Sequence, residues 1–429
     1  MINQPIASEA SGLPARVQIP DFNCRFCGRP LQYSVVDLGL SPLCESYVAA
    51  EDLNLPETFY PLHPFVCDHC FLVQLDAYVR PEEIFDEYAY FSSYADSWLA
   101  HAQQYVDDIT ARFDLTPDHR VVELASNDGY LLQYFVEKGI PVLGVEPAAN
   151  VAEVAVAKGV PTRIAYFGKD EAEAMIGEGL AADLVIGNNV LAQVPDLNSF
   201  VAGISRLLKP SGVATMEFPH VMRLMMENQF DTIYHEHFGY FSLYSVERIF
   251  GAHGLQVFDV EELSTHGGSL RIYARHQVDD GAGITDRISQ LRDDERRFGI
   301  DRLERYGTFA ERVCTTKRKL LSFLIEAKNS GKTVAGYGAP GKGNTLLNFC
   351  GIRTDLLAFT VDRNPYKQGK FLPGTRIPIY EPEKIRQMQP DYVLILPWNF
   401  KDEIMEQMSD IREWGGQFVV PIPEVRVIS

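Results

Sequence analysis

At 429 residues the chain is long enough for two or three domains, and 46% hydrophobic with 23% charged residues is an ordinary globular composition. The net charge of −19 argues against a broad nucleic-acid surface, which draws on Lys and Arg clusters, while leaving room for a local basic pocket for a small anion. No apolar run approaches the roughly 18 residues of a membrane span, and residues 1–20 lack the apolar stretch of a secretory signal. The expectation is a cytoplasmic protein with a short disordered lead-in over 1–20 and no membrane partner.

Residues 21–80 carry "CRFC" at Cys24 and Cys27 and "CDHC" at Cys67 and Cys70, two C-x2-C pairs separated by 39 residues. In a reducing compartment such pairs serve as metal ligands rather than disulfides. Each pair lets two thiolates grip one ion from a tight knuckle, and two knuckles complete a tetrahedron, so these four cysteines read as a structural zinc site. Four thiolates fill the coordination shell and leave no open position for catalysis. Cys44, between the knuckles, reads as a spectator, and Cys314 and Cys350 as buried small hydrophobes.

The segment 94–113 has helical periodicity. It is followed by an apolar strand at Val121–Leu124, the turn-prone loop "ASNDG", a helix ending at Gly139, and a second strand closing on Glu146. This is a βαβ unit, whose ligand binds at the carboxyl ends of the strands. Gly129 permits close backbone approach, and an acidic residue at the end of the second strand can accept from both ribose hydroxyls. "NDG" after a strand, with Glu146 at the next strand end, resembles motif I of the class I S-adenosylmethionine-dependent methyltransferases. The stretches "DLVIGNNVLAQVPD" (183–196) and "LLKPSGVATMEFP" (207–219) continue the same alternation of strand, polar loop and helix.

The run "IYHEHFGYFSLYS" (233–245) packs Tyr234, His235, Glu236 and His237 side by side. A zincin would need a second His four positions after His235, where Gly239 stands. A cupin would need a Glu three to five residues after its His pair, where Tyr240, Phe241 and Ser242 stand. In a strict strand Tyr234 and His237 would face opposite sides, so a loop or bulge is expected. His220, at a strand end, is a second candidate base.

Residues 286–330 read as connecting helices. Beyond them "GYGAPGKGN" satisfies G-x-G-x-x-G through Gly336, Gly338 and Gly341, and Asp362 ends a strand 21 residues after Gly341. Gly343 stands where a P-loop needs Ser or Thr, which argues against a magnesium-dependent NTPase. A helix N-terminus with Lys342 and Asn344 describes an anion site, and NAD binding, hence an oxidoreductase, is an alternative reading.

Taken in order, the zinc knuckles, "ELASNDGYLL", "NNVLAQVPD", "YHEHFGYFS", "THGGSLRIY" and "GYGAPGKGNTLLN" resemble the sugar C-methyltransferases, which act at C3 of dTDP-linked 4-keto-deoxysugars. The resemblance covers nearly the whole chain, from about Asn23 to the end. It implies a zinc-binding domain (21–80), a Rossmann-like class I methyltransferase domain that binds S-adenosylmethionine (81–285), connecting helices (286–330), and a C-terminal Rossmann-like α/β domain (331–429) that helps hold a nucleotide-sugar substrate. By motif, Ala125, Asn127, Asp128, Gly129, Glu146, Asn189 and Val190 would surround the methyl donor. His237 would remove the C3 proton, supported by Tyr234, Glu236 and Tyr88, while Lys342, Asn344, Gln193 and His266 would contact the sugar nucleotide.

A carbon next to a ketone can lose a proton because the charge delocalises onto the oxygen, and the enolate can then attack a methylsulfonium. That chemistry needs a base of near-neutral pKa, a donor to the oxygen and an aligned methyl group. One departure stands out. Many relatives have His where this chain has Gln193, and Gln cannot exchange a proton near neutral pH. The departure keeps a third reading open, a catalytically idle nucleotide-sugar-binding protein.

Overall fold

The computed structural model describes residues 12–17, 22–80, 83–84, 92–94, 96–277 and 283–429. The centre of the molecule is a seven-stranded sheet in the order Leu255–Leu263, Ser269–His276, Leu208–Pro219, Ala182–Asn188, Val121–Leu124, Val142–Glu146, Thr162–Ile164. Strands 121–219 pair in parallel, while Ser269–His276 runs antiparallel to both of its neighbours. Val121–Leu124 is buried at every position, as a central parallel strand covered on both faces must be.

The chain winds outward from Val121–Leu124 to Thr162–Ile164, then crosses back to Ala182–Asn188 on the other side of the first strand. The reversal opens a crevice at the carboxyl ends of these two strands, where an α/β sheet places its ligand. One face is closed by the helix Asp96–Arg112. It buries Ala102, Tyr105, Val106 and Ile109, spaced as one helical stripe, against Val121, Leu131 and Phe135. Val106 and Ile109 each contribute about 1.5–3 kcal/mol by leaving water.

A second doubly wound sheet follows the helices Asp286–Phe298, Leu303–Gly307 and Phe309–Asn329. Its order is Ile379–Tyr380, Thr360–Val361, Val334–Tyr337, Tyr392–Ile395, Gln417–Val420, Arg426–Ile428, parallel except for the last strand. The architecture is the expected one: a Rossmann-like methyltransferase sheet, a second Rossmann-like sheet, and an N-terminal cysteine-bearing unit. One hydrophobic core joins all three.

The N-terminal sheet holds Tyr33–Ser34, Phe65–Val66 and Val73–Gln74, and its fourth strand is Gly239–Tyr240, more than 160 residues further along the chain. The piece immediately after His237 is therefore built into the cysteine-bearing unit. The lead-in expected to be disordered over 1–20 contains an ordered part. Val17 donates to the Gln32 carbonyl at 2.8 Å and Ser34 to that of Ala15 at 2.9 Å, because the edge strand offers unpaired backbone groups.

Candidate active site

The four cysteine sulfurs lie within 4.8 Å of one another, with Cys24–Cys70 and Cys27–Cys67 both at 3.5 Å. Zn–S bonds of about 2.3 Å in a tetrahedron require sulfurs about 3.8 Å apart, so the four residues fit one zinc ion. Each knuckle is closed in the same way: Gly28 N donates to the Cys24 carbonyl (2.8 Å) and Phe71 N to that of Cys67 (3.0 Å). Gln74 donates its amide to Cys24 Sγ at 3.2 Å while its backbone pairs with Gly239. The metal site and the residues after His237 thus share one strand.

At the crevice of the central sheet lies a cavity of about 500 Å³. Its wall includes Ala125, Asn127, Glu146, Asn188, Asn189 and Val190 from the central sheet's loops, together with Gln193, Tyr234, Glu236, His237, His266 and Lys342. Ala125, Asn127, Asn189 and His266 all have positive φ (54°, 50°, 58° and 53°), a conformation non-glycine residues rarely adopt. Such strain gathers where a site must hold a fixed shape. Both amide atoms of buried Asn188, and Oδ1 of Asn189, have no hydrogen-bond partner among the described residues. Orphaned polar atoms on a cavity wall are what a polar ligand would satisfy.

Glu146 accepts from Asn127 N and Ala148 N, both at 2.9 Å, and burial raises its pKa against these bonds. Asp128 and Gly129 shape the loop from behind rather than lining the cavity. Asp128 pairs with Lys158 at 3.0 Å. Gly129 has φ +76°, and a Cβ there would come within 3.0 Å of Val160. The close approach read from Gly129 is thus to the protein's own chain. Trp98, passed over in the sequence, forms an aromatic wall between His101 (5.0 Å, stacked) and His266 (5.2 Å, edge-on).

The segment around His237 is a turn, as expected from the sequence. His237 N donates to the Tyr234 carbonyl at 2.9 Å, which brings the two rings to 4.1 Å. His237 Nδ1 lies 3.0 Å from the Thr232 carbonyl oxygen. A carbonyl can only accept, so Nδ1 carries the proton and Nε2 is left as the basic nitrogen. Burial lowers the His237 pKa to about 4, partly opposed by the Thr232 bond and assisted by the charges of His266 and Lys342. The ring is therefore neutral at physiological pH, and a weaker base than the near-neutral one expected from the sequence, because burial disfavours its charged form.

Burial, with the charges of Cys44 and Glu236, pushes the Tyr234 hydroxyl well above its usual range, so it remains a donor. Glu236 receives the Cys44 thiol at 3.4 Å, which gives a bonding role to a cysteine read as a spectator. His235 turns away to the Pro61 carbonyl (3.1 Å), and His220 is sequestered against Glu295 (2.7 Å). Neither lines the cavity. Tyr88 lies outside the described residues.

His266 accepts from Asn189 at 3.1 Å, and burial followed by the Lys342 charge lowers its pKa to about 4. Its loop is anchored by Thr265, which donates to Glu217 at 2.8 Å. Burial pushes the Glu217 carboxyl up, but the His101 bond (3.0 Å) and the Arg271 charge (2.8 Å) outweigh it and hold it at about 2.

Lys342 reaches the cavity, whereas Asn344 is buried behind it and donates to the Cys44 carbonyl at 2.6 Å. Asn344, expected at the pyrophosphate, therefore ties the C-terminal helix to the cysteine-bearing unit. Asp362, expected at an NAD ribose, accepts from Ala339 N (2.7 Å) and Asn364 N (2.8 Å). A Cβ on Gly338 would strike Pro397 at 2.4 Å, and one on Gly341 would meet Cys44 Sγ at 2.8 Å. These two glycines of the fingerprint serve close packing within the chain.

Three family models match in chain order: "zinc binding domain" over residues 24–85, "Methyltransferase domain" over 98–260 and "C-methyltransferase C-terminal domain" over 264–423. The C-methyltransferase NovU of Streptomyces niveus is 40% identical over 413 residues, covering 96% of this chain and 97% of its own. Among solved structures, an S-adenosylmethionine-dependent methyltransferase from Mesorhizobium loti aligns with 42% of this chain and 100% of its own at 14% identity and a TM-score of 0.34. The magnesium protoporphyrin IX methyltransferase of Synechocystis, solved with bound SAH, aligns with 42% and 85% at 17% identity and a TM-score of 0.33. Among the described residues no helix is long and apolar enough to cross a membrane.

Proposed function

The chain belongs to the C-methyltransferase family and is an S-adenosylmethionine-dependent enzyme with a zinc site, and on that premise we propose that it methylates C3 of a nucleotide-linked, dTDP-type 4-keto-deoxysugar through an enolate. One observation carries the reading. A neutral histidine with its Nδ1 proton committed to a carbonyl presents a basic Nε2 to a cavity that also contains the strained loops of the central sheet.

When bound, S-adenosylmethionine supplies an electrophilic methyl group. Ala125, Asn127, Glu146, Asn189 and Val190 would hold it at the crevice, with Asp128 and Gly129 keeping the loop in shape. Gln193, His266 and Lys342 would contact the nucleotide sugar, and Asn344 would brace the helix that carries Lys342. His237 takes the proton from the carbon beside the ketone. The Tyr234 hydroxyl, which keeps its own proton, donates to the ketone oxygen, and Glu236 braces the turn that carries both. Tyr88 is proposed as a further aromatic residue near the reacting groups.

In the division of labour proposed here, residues 21–80 hold zinc, 81–285 bind the methyl donor, 286–330 connect, and 331–429 assist the sugar nucleotide. Gln193 offers a hydrogen bond without a proton, so His237 works as the sole exchanging base. A mass-detected screen of dTDP- and GDP-linked 4-keto sugars with S-adenosylmethionine tests the reading. A mass gain of one methyl group on a 4-keto sugar is expected, and turnover confined to other acceptors would sink it.

A further inference from the structure

Lys342 lies in the first turn of the helix Gly341–Cys350, and its ammonium group is held by side chains of the protein. It donates to Asn399 Oδ1 at 2.8 Å and lies 4.7 Å over the ring of Trp398. Trp398 Nε1 in turn donates to Asp231 Oδ2 at 2.7 Å. Asp231 is fully buried, and its other oxygen has no hydrogen-bond partner among the described residues.

Asp231 belongs to the short turn Phe230–Thr232, and the carbonyl of Thr232 is the one that holds His237. The helix is fastened to the same place, since Thr345 donates to the Ile233 carbonyl at 2.9 Å. A single three-residue turn therefore carries the base on one side and, through Trp398, connects to the cation on the other. A buried carboxylate is costly unless something compensates it, and here the compensation comes from the charge of Lys342, the tryptophan N–H and the backbone N–H groups of Asp231 and Thr232.

We propose that Lys342, linked to Asp231 through the Trp398 ring, hydrogen-bonds the substrate oxygen on which negative charge develops when His237 removes the neighbouring proton. The proposal rests on the enolate reading above and adds to it the charged donor. The C–H electron pair becomes the C=C bond, the carbonyl π pair moves onto oxygen, and the proton goes to His237 Nε2. Lys342 keeps its own proton throughout. A sp² oxygen accepts two hydrogen bonds, so Lys342 complements the Tyr234 hydroxyl, and in a site shielded from water such donors act far more strongly than in solution.

Burial lowers the Lys342 pKa to about 8 against the charge of Asp231, whose own carboxyl burial raises to about 6 against Lys342 and Trp398. The charged and titratable groups around Lys342 are Asp231 on the turn and His237 and His266 on the cavity wall. Glu45, Glu236 and Lys367 line the same cavity.

The test compares wild type, Lys342→Met and Asp231→Asn, each checked for folding by S-adenosylhomocysteine binding. Solvent deuterium uptake beside the ketone is measured with S-adenosylhomocysteine present, alongside methyl transfer and the affinity for dTDP alone. Lys342→Met is expected to lower uptake and transfer at saturating substrate by about 10²–10³-fold, the usual loss of an oxyanion donor, while dTDP affinity stays within about threefold. Asp231→Asn keeps an acceptor for Trp398 but removes the charge, so the alkaline limb of kcat/KM, near pH 8 in wild type, moves to lower pH.

Normal uptake in Lys342→Met with dTDP affinity reduced would make Lys342 a phosphate ligand and overturn the proposal alone. An unmoved alkaline limb in Asp231→Asn would overturn it too. A wild-type enzyme that transfers methyl but shows no uptake would overturn the enolate reading, and this proposal with it.

Discussion

The two doubly wound sheets place an acidic residue at the same point, the end of the strand beside their first, and both carboxylates staple a loop. Glu146 accepts from Asn127 N and Ala148 N in the central sheet, and Asp362 from Ala339 N and Asn364 N in the C-terminal one. The surroundings differ. Glu146 lines the cavity beside strained Ala125 and Asn127, whereas around Asp362 the fingerprint glycines abut Pro397 and Cys44. Like topology thus yields a ligand crevice in one sheet, while the other sends the charged side chains of Lys342 and Lys367 into its neighbour's cavity. A glycine pattern reports close approach to the backbone and does not say whether a ligand or the chain itself approaches.

The largest expected effect tests what the comparison is about, the group served by both sheets. His237→Asn should lower methyl transfer by about 10²–10⁴-fold, the range of general-base catalysis, with S-adenosylhomocysteine affinity retained by calorimetry. Near-normal turnover would remove His237 as the base.

Stripping zinc with a chelator should loosen the sheet that contains Gly239–Tyr240 and displace His237. Misplacement by about 1 Å costs on the order of 10²-fold in rate. Methyl transfer should therefore fall much further than S-adenosylhomocysteine affinity, and about one zinc per chain should be released, the number that a single tetrahedral site of four thiolates holds. Equal loss of both would mean that zinc supports the whole fold.

The paired carboxylates give the most direct contrast. Glu146→Gln should weaken S-adenosylhomocysteine binding about 10–100-fold, the equivalent of one charged hydrogen bond. Asp362→Asn should leave that affinity unchanged and lower stability by about 1–3 kcal/mol in denaturant melts. NADH protection of the wild-type protein, lost in Asp362→Asn, would erase the distinction between the sheets.

The smallest effect is on pH dependence. His237 stays neutral down to about pH 4, so the acid limb of kcat/KM should lie there rather than near 6.5. Between those values the unfolded chain takes up a proton at this residue and the folded chain does not, so stability falls as pH falls across that window. An acid limb near 6.5 would mean that the ring is hydrated in the working enzyme.

The zinc ligands, the βαβ unit with Glu146, and the turn at "YHEHF" were legible in the sequence because each depends on neighbours within a few residues. Knuckle spacing, hydrophobic period and loop composition are local matters. Asn344, expected at the pyrophosphate, stands behind the cavity, because the same motif serves a ligand or a packing contact equally well. Trp98, Asn188, Asp231 and Trp398 gave little signal, since each owes its position to contacts with residues remote in sequence.

What the sequence determined by itself was the set of elements, the family and the inventory of reactive groups. What only the tertiary structure decided was their convergence: which histidines line the cavity, which tautomer a carbonyl imposes on His237, and that Lys342 and Asp231, from distant segments, are linked through one indole. The physical reason is that burial, charge proximity and hydrogen-bond geometry set these properties, and each exists only once distant segments have packed together.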